Sequence, residues 1–213
     1  MVVRPETRPD TGAPLEPAEF REAVLSMATA RLRPEILCEE MPAPQRIAPH
    51  SSALSADVTV DGVDLGTGRL VVLHDPAGND AWEGTFRCVA YVRADTEPET
   101  DSDDTQVFCG AAWSWLLEAL EGCGAEARAI SGTVTRVVTE SFGGMAGEPP
   151  TSQVEIRASW TPLPEVRADG ELWDLAPHVE AWAQLLCSAA GLPPVPDGVA
   201  VMPSRRGQRG STG

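Results

Sequence analysis

Alternation of apolar and polar residues in three separate stretches limits this chain's fold more than any other feature. Leu54, Ala56, Val58 and Val60 alternate with Ser55, Asp57, Thr59 and Asp61. Trp82, Gly84, Phe86, Cys88, Ala90 and Val92 alternate with Glu83, Thr85, Arg87 and Arg93. Val154, Ile156, Ala158 and Trp160 alternate with Glu155, Arg157 and Ser159. Successive side chains of a strand point to opposite faces, so each stretch reads as a strand with one face on a core and the other facing out. The pattern leaves no room for long parallel crossovers between most of these strands, because turn signals separate them. Asp61-Gly62 and Gly66-Thr67-Gly68 mark one turn region, after which Arg69 to His74 is the returning strand. Asp75-Pro76-Ala77-Gly78 has the composition of a tight turn. Ile36 to Glu40 and the β-branched run Ile130 to Thr139 supply two more strands.

Helical spacing accounts for the rest. Pro17 opens a helix at a first-turn position, with Phe20, Val24, Met27 and Arg31 on one side, and Pro34 bounds it. A second helix runs from about Thr105 to Glu121, with Asp103 or Asp104 as its cap. It is apolar nearly all round and carries Trp113 and Trp115, so it is covered on more than one side or forms a dimer contact. Asp174 can cap a third helix whose core side is Leu175, Val179, Trp182, Leu186 and Ala189. The expected fold class is α+β, a mostly antiparallel sheet of about six strands with three helices, in the order α-β-β-β-β-α-β-β-α. Residues 1–16 read as a disordered leader, 17–195 as one domain, and 196–213 as a flexible tail made basic by Arg205, Arg206 and Arg209.

Charge narrows the function. The 213 residues hold 32 acidic and 16 basic side chains, a formal net charge of −16. Such a body repels nucleic-acid phosphates and anionic lipid, and leaves open a basic partner or a bound cation. Every one of the 16 basic residues is arginine. The plentiful Ala, Gly and Pro suggest GC-rich codon usage as the cause. The chemical consequence is independent of cause. With no lysine, Schiff-base catalysis, pyridoxal phosphate attachment and a phosphate-loop lysine are all excluded. Protein-kinase-type phosphoryl transfer lacks its strand lysine as well. The five cysteines show no C-x-x-C spacing, which argues against a zinc ribbon or a disulfide framework and for reduced core thiols. The N-terminus has no apolar signal-peptide core, and the longest apolar run, Val107 to Leu117, falls short of a membrane span.

Candidate chemistry is sparse. His74, Asp75, Asp80 and Trp82 gather around one turn, where a histidine beside two carboxylates could act as a general base or metal ligand. The same residues could instead be a turn with Trp82 packed beneath it. The acidic run Asp95 to Asp104 lacks the glycine and terminal glutamate of a calcium loop. Ser131-Gly132-Thr133 and Phe142-Gly143-Gly144 are small and polar enough for backbone amides to hold an anion, or are simply turns. Arg87, Tyr91 and Arg93 share an outward strand face, and Arg157 lies on another strand's outward face. Arginine beside an aromatic ring can stack on a base or on a partner's side chain, or can serve only cross-strand ion pairs such as one to Glu155.

Nine ordered segments carry a family resemblance. They begin with Arg33-Pro34-Glu35-Ile36, Pro44 to Pro49, Leu73-His74-Asp75-Pro76, Trp82 to Arg87 and Trp113-Ser114-Trp115-Leu116. Ser131 to Arg136, Phe142-Gly143-Gly144, Glu155 to Pro162 and Ala190 to Pro194 complete them. Over roughly residues 20–195 the chain resembles the actinobacterial family called domain of unknown function three thousand. The resemblance brings no assigned activity, cofactor or catalytic residue. It implies a cytoplasmic bacterial protein, and the family's genes often lie beside one for a ribonuclease-D-like exonuclease, which points toward RNA metabolism.

The function expected from these residues is a non-enzymatic protein-binding or regulatory module with no cofactor and no bound metal. Its surface would comprise Trp82, Arg87, Tyr91, Arg93, Arg136, Phe142, Gly143, Gly144 and Arg157, with Trp113 and Trp115 as an interface to a partner or a second copy. One alternative is a metal-assisted or acid–base enzyme on His74, Asp75 and Asp80. The other is an accessory protein in RNA metabolism.

Overall fold

The computed structural model of the protein describes residues 16–96, 105–168 and 170–194. The expected leader up to residue 15, the tail, and the acidic run from 97 to 104 with its capping aspartates lie outside the described residues. The elements are α1 (Ala18–Met27), β1 (Ile36–Glu40), β2 (His50–Val60), β3 (Val63–Asn79), β4 (Gly84–Thr96) and α2 (Thr105–Gly122). Then follow β5 (Ala127–Thr139), β6 (Thr151–Pro162), β7 (Glu165–Arg167), β8 (Gly170–Leu172) and α3 (Ala176–Ala189). Six strands form one antiparallel sheet in the order β1-β2-β3-β4-β6-β5. The α+β class, the six-strand sheet and the three helices all stand as the sequence pattern requires.

One face of the sheet carries the core. Phe86, Cys88, Ala90 and Val92 of β4 and Val154, Ile156, Ala158 and Trp160 of β6 are buried, as the alternation predicts. Leu70 and Val72 of β3 and Leu54, Ala56 and Val58 of β2 extend the same face. The described helices pack onto it: Phe20, Ala23 and Met27 of α1, Ala112, Leu116, Ala119 and Leu120 of α2, and ten residues of α3 led by Trp182, Leu185 and Leu186. Full burial of a side chain of that size contributes on the order of 2–3 kcal/mol. Gly68 is small because α3 crosses it closely. A Cβ there would lie 3.1 Å from the Trp182 ring. No described helix is long and apolar enough to cross a membrane.

The structure corrects several boundaries. α1 ends at Met27 rather than near Pro34, so Arg31 is not on it. Ala28 and Thr29 donate three residues back to Leu25 and Ser26, the Thr29 hydroxyl donates to the same Ser26 carbonyl, and the Ser26 hydroxyl donates to Ala23. These bonds close the helix before proline can. Pro17 sits at the N-cap rather than in the first turn. β3 does not stop at His74; it continues irregularly through the Asp75–Gly78 stretch to Asn79, so that stretch is not the reversal. The reversal lies one step later, where Trp82 N–H donates to the Asn79 carbonyl (3.0 Å) and Glu83 N–H to Asp80 (3.2 Å). Trp82 therefore belongs to the turn and β4 begins at Gly84. The β7–β8 hairpin has no counterpart in the periodicity, since three-residue strands are too short to show any. Asp174 does accept the Ala176 N–H (3.0 Å), but Leu175 occupies the cap position.

Candidate functional site: the open face of the sheet

The face away from the helices is built by register. Pairing across β2, β3, β4, β6 and β5 aligns Ser55, Arg69, Tyr91, Arg157 and Thr133 in one row. The row beside it holds Asp57, Thr67, Arg93, Glu155 and Thr135. On the other flank Val71, Val89, Ser159 and Ser131 stand side by side. Arg87, Tyr91, Arg93 and Arg157 thus share a face, as the two separate strand patterns suggest, and the tertiary structure adds Arg69.

The four arginines differ in their partners. Arg157 Nε contacts Glu155 Oε1 at 2.9 Å, and its guanidinium sits 5.8 Å from the Tyr91 ring centre. The Tyr91 hydroxyl donates to the other Glu155 oxygen at 3.0 Å. Burial first, and then that hydrogen bond, push the Tyr91 phenol above its ordinary value. Arg93 donates to Gln153 Oε1 (2.7 Å), whose amide in turn donates to Asp95 (2.7 Å). Arg69 is exposed, and no hydrogen bond or ion pair holds it among the described residues.

Arg87 lies on the open face but is not an exposed surface residue. Only 7% of it is accessible. Its Nη1 donates to the Ala129 carbonyl (2.9 Å) and Thr161 Oγ1 (3.1 Å), and its Nη2 to Ser131 Oγ (3.3 Å) and Ser159 Oγ (2.7 Å). All four acceptors are neutral. Burial holds the guanidinium below its usual pKa, with the charges of Cys88 and Glu83 opposing. The local chain is shaped to serve it. A register break between Arg128 and Ser131 carries Ala129 at φ 50°, a left-handed conformation that presents its carbonyl. Sequence missed this because arginine at an outward strand position reads as solvated. Replacing Arg87 with lysine is expected to lower stability by about 2 kcal/mol, because an ammonium cannot satisfy four acceptors spread in a planar fork. Urea unfolding at neutral pH checks this, and an unchanged midpoint would contradict it.

The remaining candidates are scattered. His74 is fully buried on the helix-covered face, between Phe20 (ring centres 5.5 Å, stacked) and Phe86 (4.3 Å). Its Nε2 contacts Glu19 Oε1 at 2.9 Å, and Nδ1 has no partner. Burial holds its pKa down, against the charge of Glu19. The partner is thus on α1, not in the turn. Asp75 accepts the Ala77 N–H (3.0 Å), and Asp80 is exposed in the reversal. No hydrogen bond or ion pair joins these three to one another among the described residues, although the Asp75 charge acts on His74. Among the described residues no group of three or more His, Cys, Asp or Glu side chains stands close enough to hold a metal ion. The Trp82 side chain is half-buried and its carbonyl accepts the Thr161 hydroxyl, which joins it indirectly to Arg87. Arg136 turns inward, its guanidinium 4.6 Å from the Phe108 ring centre. Phe142 (77% accessible), Gly143 and Gly144 lie in an exposed 3-10 turn after β5. Trp113 and Trp115 are half-buried against the core. Ser131-Gly132-Thr133 is strand, not a loop, so its amides do not form a nest.

A family model described as "Protein of unknown function (DUF3000)" matches residues 16–200. The chain belongs to that family. No curated protein and no solved structure matches it. The matched region of the family spans both the helix-covered core and every residue of the open face. Arg69, Ser131, Ser159 and Thr161 enter the site only through strand pairing. Ser131 belongs to the Ser131-Gly132-Thr133 segment noted for its backbone amides; for the other three the sequence signal is an outward strand position or a neighbouring turn.

Proposed function

We propose that the protein is a non-enzymatic binding module whose open sheet face takes an acidic segment of a partner protein. One observation carries this reading: Arg69, Arg87 and Arg93 have no ion-pair carboxylate among the described residues, in a chain with 32 acidic and 16 basic side chains. Charges left uncompensated on one face of a strongly acidic body attract a complementary ligand and give it orientation. Val71, Val89 and Tyr91 run beside the arginines and offer apolar contact to the same segment. A cytoplasmic location belongs to the same reading, supported by five free thiols of which Cys88 and Cys187 are buried.

The test uses a fluorescent peptide of alternating glutamate and valine, with its glutamine counterpart as control. Binding of the glutamate form alone, weakening with salt and falling about tenfold for each of Arg69→Glu and Arg93→Glu, is the expected result. Equal binding of both peptides would refute the electrostatic basis. Preferential, salt-dependent binding of a single-stranded RNA decamer to the same face would replace this reading with the RNA-accessory one.

A further inference from the structure

Hydroxyl chemistry on the open face goes one step further than its charge. A serine hydroxyl has one proton to donate and oxygen lone pairs to accept with. Arg87 Nη2 donates to both Ser131 Oγ and Ser159 Oγ, so each oxygen is already an acceptor and each O–H must find an acceptor elsewhere. Thr161 shows the satisfied version of this arrangement. It accepts from Arg87 and passes its own proton to the Trp82 carbonyl. The two serines donate to no carbonyl among the described residues and face the solvent-open depression instead. Their oxygens are 3.5 Å apart, so one can donate weakly to the other, and at least one proton remains without an acceptor among the described residues. Both residues line a shallow depression of about 450 Å³ with Val89, Tyr91, Thr133 and Arg157. Ser131 is exposed and the Arg157 side chain is 66% accessible there. The buried guanidinium behind them polarises both hydroxyls, and no carboxylate is in ion-pair contact with it among the described residues, Glu83 acting on it only at longer range.

We infer that Ser131 and Ser159 form a carboxylate subsite, where their hydroxyls donate to an aspartate or glutamate side chain of the partner segment. Arg87 does not touch the ligand. It positions the two hydroxyls and supplies positive potential through them, while Arg157 flanks the mouth. This rests on the reading of the face as a site for an acidic segment and assigns one residue of that segment its place. A carboxylate fits because it accepts at two oxygens and brings a negative charge next to a guanidinium whose four direct acceptors are all neutral.

Acetate is the direct probe, titrated at constant ionic strength against chloride and followed by amide chemical shifts. The expected result is saturable shifts at Ser131, Gly132 and Ser159, with a dissociation constant on the order of 10 mM. They should vanish in Ser131→Ala/Ser159→Ala. That variant is expected to keep the Arg87 bonds to Ala129 and Thr161, and circular dichroism checks that it folds. It should also bind the glutamate–valine peptide about tenfold more weakly. If the peptide binds through Arg69 and Arg93 while acetate leaves these amides unmoved and the double variant binds unchanged, the subsite is overturned and the face reading stands. If acetate binds at the serines but no acidic peptide does, the subsite stands and the peptide reading falls. Inorganic phosphate saturating the same amides more tightly than acetate would overturn the carboxylate assignment in favour of a phosphoryl ligand.

Discussion

Replacing Gly132 with alanine is expected to destabilise the protein by about 3 kcal/mol, lowering the thermal midpoint by roughly 10 °C. Gly132 lies in β5 opposite Ala158 of β6, and its missing side chain would point toward α2. A Cβ built there falls inside contact distance of the Arg157 carbonyl, 2.8 Å from the Trp113 ring and 2.9 Å from the Ala158 Cα. Two of those three neighbours are backbone atoms of the adjoining strand, so no rotamer change relieves the clash. The strand must shift, and with it the Ser131 hydroxyl that Arg87 holds. Gly144→Ala, where a Cβ meets nothing within 4 Å, is the control and should change stability by less than about 0.5 kcal/mol. Thermal and urea unfolding of both variants decide the matter, and equal midpoints would show that β5 accommodates a side chain at Gly132.

Acidification from pH 6.5 to about 4 is expected to remove about 3 kcal/mol through His178 alone. His178 is 2% accessible on α3, and its Nδ1 accepts the Trp160 indole N–H at 3.1 Å. Burial pushes its pKa from 6.5 down to about 4, with the Asp174 charge opposing. The unfolded chain therefore binds this proton first as pH falls, and the folded state loses stability across that window. Above 6.5 both states are neutral at this residue and the contribution is constant. His74, also lowered by burial, adds to the loss in the same direction. Relief of self-repulsion at a net charge of −16 acts the other way, so a variant comparison is needed. His178→Asn keeps an acceptor for Trp160 and removes the titration. Urea midpoints at pH 7, 5.5 and 4 should fall less steeply in that variant. Parallel slopes for the two proteins would remove His178 from the account.

Much of the fold was legible because side-chain alternation is a local property. Phe86 inward and Arg87 outward follow from β4 alone, as Ile156 and Arg157 follow from β6. The irregular stretch from Asp75 to Asn79 was not legible, because an interrupted ladder looks like a turn in composition. Arg87 shows the limit most clearly. Its outward direction was readable, but its burial was not, since the groups that cover it come from β5 and β6. The same holds for His74, whose partner Glu19 stands 55 residues earlier on α1.

By itself the sequence determined that this chain is a lysine-free, acidic α+β protein with one apolar sheet face, and so excluded every mechanism that needs a lysine. Tertiary structure alone decided that β6 lies between β4 and β5, and therefore that Arg87 meets Ser131 and Ser159. The reason is that a period of two fixes which face a residue occupies whatever strand lies beside it. Strand order is instead set by how α2 and α3 bury the inner face of the whole sheet, a sum over distant contacts that no single segment contains.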